Sequence, residues 1–150
     1  MIAIDSNILV YAQQDTDDLN RHSAAFEIVA KSALIGAIVP VQVLGEFLNV
    51  CRNKLKLTPR DSVEQVADYL AVFRCPSTIT DDLLTAALTA DQFQLQFFDA
   101  LIIAVAKRAG AAVLLSEDMH DGLDIGGLKI VNPFAPANDA LLADYFANAL

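Results

Sequence analysis

Four carboxylates, Asp5, Glu46, Asp99 and Asp118, are the residues of this 150-residue chain best suited to do chemistry together. Two of them stand in odd surroundings. Asp5 lies between Ile4 and, beyond Ser6-Asn7, the apolar run Ile8-Leu9-Val10; Glu46 lies between Leu44 and Phe47-Leu48. A carboxylate in such a place is costly unless it is paired or bound to a cation. Four that converge would also repel one another and raise their pKa values. A hard divalent cation relieves both problems, and oxygen-only donors without His or Cys favour Mg²⁺, then Mn²⁺, over zinc. Such a cation lowers the pKa of a bound water and offsets negative charge developing on a reacting oxygen. Each acid alone also has an ordinary reading. Asp5 suits a helix N-cap, Glu46 a helix edge, Asp99 the positive end of its helix and Asp118 a turn. With nineteen acids in the chain, only the joint pattern points to a site.

The surrounding elements must bring these acids together. Residues 1–4 form a short apolar run, read as a buried strand, with a helix starting near Ser6. Residues 15–18 form a polar loop, residues 20–35 have helical spacing and Gly36 ends that helix. A second strand is expected at 37–39, with Pro40 in the first turn of a helix that runs to about Lys54. Thr58 and Pro59 start another helix reaching about Phe73, and 75–79 reads as a third strand or extended segment. Thr80 is expected to cap a helix with Asp81 and Asp82 in its first turn. A further helix spans 97–110, and its Phe97-Phe98 pair reads as core. The wholly apolar 112–115 reads as a fourth strand, 116–127 as an Asp- and Gly-rich loop, 128–131 as a fifth strand and about 138–147 as a last helix.

Short strands alternating with helices predict an α/β fold, a three-layer α/β/α sandwich around a short-stranded parallel sheet. Ligands bind such sheets beyond the carboxyl ends of the strands. Asp5 directly follows the first strand, Glu46 lies two turns into the helix after the second, Asp99 opens its helix and Asp118 follows the fourth strand by three residues. The fold rule therefore gathers all four at one sheet edge. Residues 1–132 read as one domain. Residues 133–150 read as a C-terminal tail whose short helix packs on the domain or on a partner subunit.

Apolar residues make up 55% of the chain, and no apolar run reaches the roughly 18 residues of a membrane span. The opening MIAIDSNILVYA lacks a basic region and does not read as a signal peptide. Cys51 and Cys75 form no metal or redox motif, so a cytoplasmic protein with reduced thiols is expected. The net charge of −9 opposes nucleic-acid binding by bulk positive charge. Yet Arg52, Lys54, Lys56 and Arg60 fall within nine positions, and an acidic body with one basic patch suits capture by a basic protein partner. Arg52, Lys54 and Lys56 are candidates for substrate phosphate contacts, their ordinary reading being cations at a helix end. His22 and His120 read as structural.

Four segments carry a resemblance. Asp5-Ser6-Asn7-Ile8-Leu9-Val10-Tyr11-Ala12 resembles the opening of PIN domains, and Val41-Gln42-Val43-Leu44-Gly45-Glu46-Phe47 resembles their second motif, with a Glu on a helix. Phe98-Asp99-Ala100-Leu101-Ile102-Ile103-Ala104-Val105-Ala106 resembles the third, and Leu114-Leu115-Ser116-Glu117-Asp118-Met119 the fourth. The motifs come in family order and span about residues 2–131. The resemblance implies a parallel α/β/α fold, a metal site and endoribonuclease activity on RNA. Many small bacterial members are VapC-type toxins, which implies an antitoxin partner, and a homodimer is expected. It carries Asp5, Glu46, Asp99 and Asp118 over as the acidic site, Asp5 and Asp99 as direct metal ligands, and Asn7 and Ser116 as supporting groups. Asp121 is the alternative fourth acid. The chain departs from the family where a Ser or Thr often stands a few residues before the helix Glu; here stand Pro40 and Val41, so a secondary hydrogen bond lacks its usual donor while the Glu itself is kept.

Other functions compete. A housekeeping RNA-processing nuclease would use the same site. A phosphotransferase of the haloacid-dehalogenase kind needs a second Asp where this chain has Asn7. A receiver-like Mg²⁺-binding module needs paired acids after the first strand. A PIN-like fold acting only as a binding module is the remaining alternative.

Overall fold

Three-residue strands survive in water only when helices cover both faces of the sheet, and the apolar makeup of this chain provides that cover. The computed structural model describes residues 1–13, 19–55 and 57–148. In chain order they form β1 (Ile2–Ile4), α1 (Ser6–Gln13), α2 (Leu19–Leu34), α3 (Val41–Asn53), α4 (Pro59–Val72), α5 (Thr80–Phe93) and α6 (Phe97–Arg108). Then follow β2 (Val113–Leu115), β3 (Asp124–Ile125), β4 (Leu128–Val131), a 3-10 turn (Pro136–Asn138) and α7 (Asp139–Ala147). The sheet order is β1-β2-β4-β3, with β1, β2 and β4 parallel and β3 antiparallel to β4. Helices flank this sheet in an α/β fold. All residues of β1 and β2 are buried, and α6 is buried continuously from Ala100 to Ala106.

The sheet is less regular than the sequence suggests. The strand expected at 37–39 shrinks to one bridging residue, Ile38, which pairs in parallel with Ala3 on one side and Arg74 on the other. Residues 75–79, read as a strand or an extended segment, form no strand, and the pairing falls on Arg74. Pro40 and Pro76 explain the short ladder, since neither has an N–H to donate. The loop expected over 116–127 contains β3, which makes the sheet mixed. Gly126 and Gly127 both have positive φ, 57° and 89°, and this pair forms the two-residue turn that reverses the chain into β4.

Thr80 is not the cap of α5. Ile79 occupies that position, and the Asp82 carboxylate accepts its backbone N–H at 2.9 Å. Buried Asp82 also accepts from Arg108 Nε at 2.8 Å, and an Arg108 terminal nitrogen donates to Ser77 O at 2.7 Å. This ties α5 to the end of α6, and the guanidinium holds the Asp82 carboxyl below its ordinary range. Phe97 and Phe98, expected in the core, are exposed at the start of α6, Phe98 by 64%. The side chains of Leu142 and Phe146 on α7 join the same core as β1 and α2. No helix among the described residues is long and apolar enough to cross a membrane.

Candidate active site

The parallel register of β1 and β2 builds the centre of the site. Ile4 pairs with Leu115, so the next residues, Asp5 and Ser116, leave the sheet side by side. Asp5 N–H donates to Leu115 O at 3.0 Å and Ser116 N–H to Val131 O at 3.1 Å, which fixes both at the carboxyl edge. The buried Ser116 hydroxyl then donates to Asp5 Oδ2 at 2.7 Å. At the other oxygen, Ser6 N–H donates to Asp5 Oδ1 at 2.7 Å. Asp5 is only 5% exposed. Burial pushes its pKa from 3.8 to about 6, against the lowering effect of the Ser116 and Ser6 hydrogen bonds, and the Glu46 and Asp99 charges add to the rise. Mutual repulsion is thus the lesser cause; desolvation comes first.

The other acids close around it. Asn7 Nδ2 lies 3.3 Å from Asp5 Oδ2, 3.4 Å from Ser116 Oγ and 3.3 Å from Asp118 Oδ2, linking the first and fourth motifs. Glu46 reaches the cluster from α3, where Val43, Leu44, Phe47 and Cys51 face the core and leave position 46 at the edge of the stripe. Its carboxylate accepts from Ser6 Oγ and from Gln42 Nε2, both at 3.0 Å. Gln42 Nε2 also donates to Phe98 O at 3.2 Å, which joins α3 to the first turn of α6 beside Asp99. Burial, then the charges of Glu46 and Asp118, raise the Asp99 pKa. Among the described residues none of these four acids forms an ion pair.

This donor set suits a hard cation. It consists of oxygens, carries excess negative charge and includes a desolvated carboxylate with no cationic partner. Among the described residues no three acidic, His or Cys side chains stand close enough to share one ion. Mg²⁺ commonly takes one or two carboxylates and keeps its waters, so the arrangement fits two direct ligands with the remaining acids at one remove.

The family pattern of the PIN domain matches residues 2–120. This chain belongs to the PIN-domain family. Its PIN fold also resembles solved structures at low identity. The crystal structure of Mycobacterium tuberculosis VapC20, a sarcin–ricin loop cleaving toxin, is 23% identical, with a TM-score of 0.64 over 79% of this chain and 90% of that one. A toxin–antitoxin complex from Klebsiella pneumoniae is 17% identical, with a TM-score of 0.64 over 89% and 98%. VapBC2 from Rickettsia felis, bound to a promoter DNA fragment, is 18% identical, with a TM-score of 0.63 over 88% and 98%. At these identities the likeness is one of fold. Comparison with curated protein sequences gave no significant match.

Within the PIN domain, Asp5, Glu46, Asp99, Asp118, Asn7 and Ser116 come together. Asp121 does not join them; it accepts from Asn132 N–H at 2.8 Å and from Asn138 Nδ2 at 3.1 Å, capping the C-terminal segment. His22 Nδ1 lies 2.8 Å from Tyr11 O. A cleft of about 240 Å³ between α1 and α3 runs from Asn7 and Asp118 past Tyr11 and Val50 to Lys54. Exposed Arg52 does not line it, and Lys56 lies outside the described residues. Three contributors escaped the sequence reading. Gln42 donates to Glu46, and its i,i+4 spacing from Glu46 was the available signal. Ser6 bridges Asp5 and Glu46. Arg21 pairs with Glu117 at 2.7 Å, a contact no local pattern announces.

Proposed function

We propose that this PIN domain is a divalent-metal-dependent endoribonuclease and the toxin of a toxin–antitoxin pair. The observation that carries this reading is Asp5, buried at the sheet edge with no cationic partner among the described residues and within the electrostatic reach of Glu46 and Asp99. Asp5 and Asp99 would hold the ion, Mg²⁺ or Mn²⁺. When bound, that ion supplies charge neutralisation at the phosphate and acidifies water. Ser116, Ser6 and Asn7 orient Asp5. Glu46, steadied by Ser6 and Gln42, and Asp118, steadied by Asn7, orient the attacking water and take up its proton. Lys54 receives a phosphate of the RNA strand along the α1–α3 cleft, with Arg52 as an outer phosphate contact and Lys56, by its place in the sequence, as a further candidate.

Cleavage of single-stranded RNA is expected with Mg²⁺ or Mn²⁺ and not with EDTA. Asp99→Asn should lower the rate at least about a hundredfold while circular dichroism stays unchanged. Induced expression should arrest bacterial growth with the parent and not with Asp99→Asn. A folded parent that cuts no RNA with either metal would sink the reading.

An antitoxin partner in the cytoplasm follows from the same reading, since two structures that share the fold are toxin–antitoxin complexes. The net charge of −9 suits a basic partner segment. We place a second copy of the chain on α5, where Leu83, Leu84 and Leu88 are exposed apolar side chains. Sedimentation should give a dimer for the parent and a monomer for the double variant Leu84→Asp/Leu88→Asp. A monomeric parent at micromolar concentration would refute it.

A further inference from the structure

We propose that Arg21 is a positioning residue of the active site, fixing the loop that carries Asp118 through its ion pair with Glu117 while seated over the Tyr11 and Phe134 rings. The proposal rests on the nuclease reading of the four acids and adds a device that the four motifs do not contain.

Arg21 Nη1 lies 2.7 Å from Glu117 Oε1, with the side chains 37% and 17% exposed. Partial burial makes such a pair stronger than one at the open surface. The guanidinium carbon lies 5.2 Å from the Tyr11 ring centroid and 5.4 Å from that of Phe134. The two rings meet edge to face, 5.6 Å apart at 84°. Each ring adds cation–π attraction and removes conformational freedom from a long side chain. Tyr11 belongs to the same network electrostatically: Glu117 is the main cause that raises its pKa, and Arg21 acts in the opposite direction.

The consequence for the site follows from connectivity. Glu117 sits between Ser116 and Asp118, and its N–H faces Asn7 Oδ1 at 3.5 Å. The Asn7 amide in turn contacts both Asp118 and Asp5. A shift of Glu117 therefore changes where Asp118 stands relative to Asp5. The ion pair also occupies the Glu117 carboxylate, so the acid next to Asp118 is withdrawn from the metal-facing set. Phe134 lies beyond residue 120, where the PIN-domain match ends. The C-terminal segment thereby contributes to the setting of the active-site loop.

The test uses the full chain and measures Mn²⁺ affinity by electron paramagnetic resonance beside steady-state RNA cleavage. Arg21→Met should weaken Mn²⁺ binding about threefold or more and lower kcat about tenfold, with KM changed less than about twofold. Arg21→Lys keeps the charge and loses the planar fork, so it should recover part of the kcat. In the Asp118→Asn background, Arg21→Met should change Mn²⁺ affinity by less than about 1.5-fold, because its effect passes through Asp118. Wild-type affinity and kcat in Arg21→Met would overturn the proposal. Equal losses of affinity in both backgrounds would also overturn it, since they indicate general loosening. A parent that neither binds Mn²⁺ nor cuts RNA overturns the site reading itself, and this proposal with it.

Discussion

Asp5→Asn is expected to abolish RNA cleavage, by about a thousandfold or more, and to make the metal-free protein more stable than its parent at pH 8. The two effects have one cause. A buried carboxylate at the end of β1 is useful when it faces a cation and is a liability when it does not. Its pKa in the folded protein is raised from 3.8 to about 6. Below about pH 4 the carboxyl is protonated in both folded and unfolded chains and costs nothing. Between about pH 4 and 6 the unfolded chain ionises first, so stability falls as pH rises. Above about 6 the full cost is present, roughly 3 kcal/mol for a shift of about two units. Asn carries no charge, so its variant lacks this fall. Its amide must, however, sit against the Asn7 amide and the Ser116 hydroxyl that now donate to Asp5, and the net gain is accordingly about 1–2 kcal/mol at pH 8. Asp99, also raised, adds to the parent's pH dependence, and Asp82, lowered by Arg108, opposes it. The difference between parent and variant is therefore the diagnostic quantity. Urea midpoints in EDTA at pH 4, 6 and 8 measure it, and added Mg²⁺ should stabilise the parent and not the variant. A parent–variant difference that does not grow between pH 4 and 8 would refute the buried-charge account.

Phe47→Ala should give the largest loss of stability, about 3–5 kcal/mol. Phe47 is completely buried at the heart of α3. Its ring meets Tyr69 of α4 edge to face at 5.5 Å, and Tyr69 packs on Phe73 at 5.9 Å. Truncation leaves a cavity at the α3–α4 contact that rigid neighbours cannot fill. A domain of this kind has about 5–15 kcal/mol in all, so the variant should melt roughly 10 °C lower. Because Glu46 is the adjacent residue, the surviving folded fraction should also cut RNA more slowly. Phe47→Leu keeps most of the volume and should cost less than about 2 kcal/mol. Urea denaturation of the three proteins decides the matter, and an Ala variant within about 1 kcal/mol of the parent would show that α3 is not held by this ring.

The sequence alone determined the order of the helices and of β1, β2 and β4, and the place of the acids along it. Ile2–Ile4 and Val113–Leu115 are apolar throughout, and runs that short are stable only inside a covered parallel sheet. Once β1 and β2 are parallel neighbours, Asp5 and Ser116 must emerge together, so spacing along the chain already fixed the centre of the site. The i,i+4 pair Gln42 and Glu46 was equally local. Other features depended on partners distant in sequence. Ile38 pairs by a single residue on each side because prolines end its ladder, and a periodic pattern cannot register one residue. Phe97 and Phe98 look like core residues by type, but the buried face of α6 begins at Ala100 and leaves both rings outside. The fourth motif pointed to Asp118, with Asp121 in the same loop as the alternative. Asn7 selects the first and Asn132 with Asn138 the second, across gaps of 111, 11 and 17 residues. The pairing of Arg21 with Glu117 likewise joins separate helix and loop segments. Burial pattern and spacing are properties of the chain; the partner of a polar side chain is a property of the packed fold, because only packing decides which charges lose their water and must find one another.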